Sequence, residues 1–281
     1  MTGTQKRECG TARVAFLIVF ATLCLAAIFF GRSLRRIVCE ALMQRVTSGH
    51  YEILCPAKAM PPEIMRQFAS ERESLFTALD GKLGDAGSNT EIRIIFDPDF
   101  PTTSHEASAS RPYMVTGTTI RTRFNGRILD LNSAADAEAL LNVAWGKPGN
   151  AGVAHWVSLW LVGNWQGQEL GMAAAEVEQR LGHKKVATVL GQPPVEVSSP
   201  QDRDLLGAAW ISQIVEFGGP AEVRKLYSAK MPDVNEAEVA KALGTTSMEL
   251  ERKWQLWMYA YLAGMPPASQ SMPMNMQMPT K

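Results

Sequence analysis

Histidine is scarce in this chain. There are four in 281 residues (His50, His105, His155 and His183), and no two stand four apart. No H-x-x-x-H pair therefore exists in any register, which removes the usual way of holding zinc from one helix face. The four cysteines (Cys9, Cys24, Cys39 and Cys55) show no C-x-x-C spacing, so nothing supports a structural zinc site. A G-x-S-x-G nucleophile elbow and a glycine-rich phosphate loop are also missing, as are internal repeats. Charge of either sign is not in excess: 28 Lys and Arg balance 28 Asp and Glu. A nucleic-acid partner, which calls for a basic face, is not expected.

What the chain does have is apolar content, 46% of its residues, enough for a sizeable core. Its longest apolar run is Val14 to Phe30, between Arg13 and Gly31-Arg32. A bilayer core needs about 20 residues, and about 17 at the least. The run ends in Phe29-Phe30-Gly31-Arg32 with no small-residue cleavage pattern. We read residues 14–31 as an uncleaved transmembrane signal anchor after a short arm, 1–13, with a cleaved signal peptide as the alternative. Lys6, Arg7 and Arg13 before the span balance Arg32, Arg35 and Arg36 after it, so flanking charge does not orient it. The short arm and large following globule lead to an expectation of a single-pass inner (plasma) membrane protein, its bulk outside the cytoplasm and its first partner the lipid bilayer. Cys39 and Cys55 are disulfide candidates if that side is oxidising; two free thiols are the equal alternative.

Residues 32–48 form a stalk, helical over Ser33–Val46. Tyr51–Cys55 reads as a strand, Pro61–Leu79 as a helix with Ile64, Met65, Phe68, Leu75, Phe76 and Leu79 on one face, and Glu91–Phe96 as a strong strand. Thr116–Asn125 and Gly126–Leu131 read as strands joined by an Asn125-Gly126 turn. Helices follow: Ser133–Gly146 with a capping-box-like Asp136, Ala154–Trp165, and Leu170–Leu181. Another runs from Ser199-Pro200 to the Gly218-Gly219-Pro220 stop, then Glu236–Leu243 ends at Gly244, and a last helix is capped by Thr246. The fold class expected is α+β, with a small strand-and-helix lobe preceding a mostly helical one. From Met265 onward the Pro-, Ser-, Gln- and Met-rich residues read as a disordered tail.

The order of these elements over residues 49–264 resembles the peptidase MA-like family, relatives of the gluzincin zinc metallopeptidases. Tyr51–Phe96 is similar to its opening strand, long helix and I-x-I-x-F strand. Ser133–Gly146 stands where that family has its H-E-x-x-H helix, and His155-Trp156-Val157-Ser158-Leu159-Trp160-Leu161 resembles W-L-x-E-G-L-A. Gly207–Trp210 through Phe217-Gly218-Gly219, with Ala242–Gly244 through Glu251 and Trp254, resembles the closing helices. The resemblance implies a gluzincin-like fold, with Asn142 and Gly146 at the histidine positions, Val143 at the general base and Leu159 at the third ligand. An amide is a poor zinc ligand, and glycine, valine and leucine offer no donor side chain. The implied product is a degenerate, non-catalytic member without a cofactor, which binds a protein or peptide or scaffolds an envelope assembly. Two alternatives stand beside it: a hydrolase with a relocated site using His155, and a purely structural envelope protein.

Trp145, Trp156, Trp160 and Trp165 gather, with His155, around the expected cleft. Either they fill the space a metal and its water would occupy, or they line a groove for a peptide. In the tail, Met272, Met274, Met276 and Met278 alternate. Thioethers suit Cu(I), and low-complexity sequence is the plainer reading.

Overall fold

A computed structural model describes residues 37–57, 59–98, 100, 113–123, 133–182, 199–232 and 234–264. The apolar run Val14–Phe30, the turn at Asn125-Gly126 with the strand to Leu131, His105, His183 and the four tail methionines lie outside them. Among the described residues no helix is long and apolar enough to cross a membrane.

The chain is α+β: a mixed five-stranded sheet with one long helix, followed by a helical region. The described residues open in helix, α1 (residues 37–41 of it), which leads into β1 (Gln44–Ser48). Then come β2 (Tyr51–Cys55), α2 (Pro62–Lys82), β3 (Ile92–Asp97), β4 (Tyr113–Thr116) and β5 (Thr119–Arg123). The order across the sheet is β1-β2-β3-β5-β4, with β2, β3 and β5 parallel and the two edge strands antiparallel. The parallel β2–β3 pair requires a crossover, which α2 supplies.

Two expectations fail in this lobe. The stalk is helical only to residue 41, because Gln44–Ser48 pairs with β2 and takes up its free backbone groups. A hairpin turns at Gly117-Thr118, inside what reads as one strand. Gly117 has φ +59, the glycine-first geometry of a two-residue hairpin loop.

All five residues of β2 are buried, so both faces of the sheet are covered there. On the first face lie Tyr51, Ile53, Ile94, Phe96 and Ile120, against Met65, Phe68, Phe76 and Leu79 of α2. The same stripe of α2 also buries Arg72 and Asp80, while Ile64 is exposed. Arg72 Nη1 donates to Asp136 Oδ2 at 2.6 Å, and the Tyr51 hydroxyl donates to Asp136 Oδ1 at 2.7 Å. Burial pushes the Asp136 carboxyl up from its ordinary value, against the pull of Arg72 and Tyr51. Both Asp136 oxygens thus serve tertiary partners, whereas the sequence places it in a capping box.

The helical region contains α3 (Ser133–Ala144), α4 (Ala151–Val162), a small hairpin of β6 (Asn164–Trp165) and β7 (Gln168–Glu169), and α5 (Leu170–Leu181). It continues with α6 (Pro200–Gly218), α7 (Pro220–Ser228), α8 (Glu236–Leu243) and α9 (Ser247–Leu262). Asn150, Ser199, Asn235 and Thr246 cap α4, α6, α8 and α9 with side-chain oxygens. The expected Ala154–Trp165 helix is shifted to Ala151–Val162, because Asn150 starts it and left-handed Gly163 ends it. The Gly218-Gly219-Pro220 stop is also a start, since Pro220 opens α7.

Helix α9 docks through an aromatic ladder. Trp254 and Trp257 stack at 5.9 Å, and Trp257 and Tyr261 lie 4.6 Å apart. Trp257 Nε1 donates to Glu216 at 2.9 Å and the Tyr261 hydroxyl to Glu169 at 2.8 Å. The third carboxylate facing this helix is buried Glu178, raised to about 7 by desolvation and by Glu251, with the Trp254 indole opposing.

Two predictions follow from these contacts. Arg72→Ala or Asp136→Ala leaves an uncompensated buried charge and costs about 3–5 kcal/mol in denaturant unfolding, far more than apolar replacement of the whole cluster. For Glu178, the folded state holds its proton up to about pH 7 while the unfolded carboxyl releases it near 4.5. Stability therefore falls as pH rises between those values. Glu178→Gln should match the wild type at acidic pH and exceed it by about 2 kcal/mol above pH 7, read from urea midpoints.

Candidate functional site

Helix α3 packs on β4, β5 and α4, and α4 packs on α6. This junction is where the resemblance places a cleft. Helix α3 ends at Ala144, and Gly146 lies beyond it with φ +85. The expected Ser133–Gly146 helix thus ends two residues early, and Asn142 and Gly146 do not share it. Val143 is 39% exposed, and Leu159 is buried in the core.

Asn142 is engaged at both ends. Its Nδ2 donates to the Gly117 carbonyl at 3.2 Å, and its Oδ1 accepts from the Tyr227 hydroxyl at 3.0 Å. The amide thus ties the β4–β5 turn to α7. Tyr227 is fully buried, and burial together with Glu138 raises its hydroxyl pKa. Glu138, itself buried on α3, acts on this tyrosine and was passed over in sequence reasoning.

The α3–α4 loop is pinned to the end of α7. Gly149 N–H donates to the Tyr227 carbonyl at 2.8 Å, and Asn150 Nδ2 to the Met231 carbonyl at 2.8 Å. A Cβ on Gly149 would stand 2.0 Å from the Ala229 carbonyl oxygen, so only glycine permits the approach. Trp145 meets Tyr227 edge-on, with centroids 5.4 Å apart.

His155 is buried with two polar neighbours. Its Nδ1 lies 3.1 Å from the Tyr113 hydroxyl and its Nε2 3.5 Å from Asp204 Oδ2. Tyr113 comes from the edge strand β4 and Asp204 from α6, so a Tyr113–His155–Asp204 line joins three elements. Neither partner was legible from the sequence, because nothing local to His155 marks them.

The tryptophans do not share one groove. Trp156 is 2% exposed and lies flat against Gly207 of α6, where an added Cβ would stand 2.3 Å from the indole; the Arg203 guanidinium sits 6.0 Å from its ring centroid. Trp145, Trp160 and Trp165 are half-buried and pack on the core from outside. Cys39 is exposed and Cys55 buried, and both are free thiols; burial pushes Cys55 up to about 11.

No cluster of three potential metal ligands occurs among the described residues. An open cavity of about 200 Å³ lies between α6 and α9, lined by Gln213, Ile214, Phe217, Leu243, Leu250 and Lys253. None of the expected cleft residues borders it, and it is smaller than the ~300 Å³ at which small-molecule sites begin. No family model, curated protein or solved structure matches this chain.

Gly207→Ala tests how tightly the α4–α6 seam is filled. The added methyl forces the Trp156 ring aside, with an expected loss of about 1–3 kcal/mol and a changed near-UV tryptophan signal.

Proposed function

We propose that this chain is a membrane-anchored, non-catalytic relative of the peptidase MA-like proteins, serving as a binding or scaffolding component at the cell envelope. Asn142 carries the reading: both ends of its amide are committed to structural hydrogen bonds, at the position where a zinc ligand would be needed. Leu159 in the core and Gly146 beyond the helix end support it. The bilayer holds the chain through Val14–Phe30, with the globule on the extracytoplasmic side of the inner membrane. The second partner is a protein or peptide. Trp145, Trp160 and Trp165, each keeping an exposed edge, are its candidate contacts, whereas Trp156 and His155 are withdrawn into the core.

One observation favours a second reading, a hydrolase with a relocated site. The Tyr113–His155–Asp204 line has the makings of a proton relay. All three groups are largely buried, however, so no substrate route reaches them through the described residues.

Metal analysis separates these readings. The full chain, purified in detergent after zinc-supplemented expression, should carry no stoichiometric zinc and show no zinc-dependent peptide hydrolysis. Near-stoichiometric zinc overturns the proposal. Zinc-independent turnover abolished by His155→Ala establishes the second reading in its place.

A further inference from the structure

The cavity between α6 and α9 belongs neither to the α3–α4 junction nor to the tryptophan edges, and one polar group within its lining is unbonded. Gln213, Ile214, Phe217 and Gly218 line it from one face of α6, at positions i, i+1, i+4 and i+5. They grade from inside to outside: Gln213 is 1% exposed and Phe217 43%. Buried Leu250 of α9 and half-buried Leu243 at the end of α8 complete the apolar wall.

These walls are held in place by contacts of their own. Trp257 Nε1, on the Glu216 carboxylate at 2.9 Å, fastens α9 to α6. Gly219, with φ +79, turns α6 directly into α7. Left-handed Gly244 and the Thr245 N–H, bonded to the Ala240 carbonyl at 2.9 Å, close the end of α8. A preformed site loses little ordering entropy when it is filled.

Three features select the ligand. Gln213 Oε1 is buried without a hydrogen-bond partner. An unbonded buried acceptor is costly, and a donor that reaches it recovers that cost. The two charged residues at the cavity are already committed, Glu222 to Lys225 at 2.5 Å and Lys253 to Glu249 at 3.7 Å. The site therefore has no spare charge to offer. Its volume of about 200 Å³ suits one side chain, not a drug-sized molecule.

An apolar body ending in a neutral hydroxyl donor meets all three conditions, and among side chains that is the phenol of tyrosine. Serine and threonine lack the body. Lysine and arginine bring a charge, and the tryptophan N–H sits on the flank of its ring. We infer that the cavity is a recognition pocket for a tyrosine side chain of a partner protein, its ring against Phe217, Leu243 and Leu250 and its hydroxyl donating to Gln213 Oε1. Aromatic anchors in such pockets dominate many interfaces. That the tyrosine belongs to a protein rests on the binding reading above; the pocket's preference for a phenol does not.

Saturation-transfer NMR on the full chain in detergent, with detergent alone as the blank, tests this. The probes are N-acetyl-tyrosinamide and N-acetyl-phenylalaninamide, which differ only in the hydroxyl. The tyrosine amide should bind with a millimolar Kd, roughly tenfold more tightly than the phenylalanine amide. Gln213→Leu, which puts an apolar group in place of the acceptor, should abolish that preference. Phe217→Ala, at an exposed position, should weaken both probes several-fold. Equal binding of the two probes by the wild-type chain, a preference that survives Gln213→Leu, or no binding of either overturns the pocket. A tyrosine preference in a chain that also carries stoichiometric zinc leaves the pocket standing and overturns the non-catalytic reading instead.

Discussion

Arg72 and Asp136 stand 64 residues apart, yet their 2.6 Å contact sets how the two parts of the molecule meet. Arg72 sits on the buried stripe of α2, Tyr51 on the first face of β2, and Asp136 near the start of α3. The three cannot satisfy one another unless crossover helix, sheet and first helix of the helical region adopt this relation. A buried ion pair adds little over a well-packed apolar cluster, but any arrangement that separates its members leaves a charge without water. Its effect is to make alternative packings of α3 costly. The Phe68 ring beneath the Arg72 guanidinium, 4.9 Å away, adds to this.

The other polar links at the junction extend the same logic outward. Asn142 ties the β4–β5 turn to α7, and His155 ties β4 to α6. Each spends side-chain polar groups on joining elements that a hydrolytic site would have to leave open to substrate and water. Trp156 on Gly207 closes the remaining α4–α6 seam at van der Waals contact. Where a cleft is expected, the interior is packed.

Local sequence rules read the helices well. The Glu236–Leu243 helix and the Thr246 cap match the structure to the residue, because a capping side chain and a left-handed glycine are local signals. The misreadings arose where local signals competed. The reading of Thr116–Asn125 as one strand passed over Gly117-Thr118, although the pairing of Tyr113 with Thr122 places a hairpin turn there. Gly218-Gly219-Pro220 was taken as an end alone, although proline at the first helical position also begins α7. The site was less legible for the same reason in reverse. His155 and Asn142 stood out, but Tyr113, Asp204 and Tyr227 reach them from distant elements. A signal for Arg72 was present, since a charged residue four positions from both Phe68 and Phe76 has to share their buried face.

The entry of the chain into the sheet bears on the proposed binding role. A domain on a free stalk samples many orientations, and any partner must absorb the entropy of fixing one. The Glu40–Arg121 contact and the pairing of β1 on β2 tie the chain's entry to the sheet. The helical region, built onto the sheet through α3, is held in a set relation to that entry. For a catalyst acting on diffusing substrates such fixed presentation brings little. For the scaffolding role proposed above, a fixed entry lowers the cost of every contact.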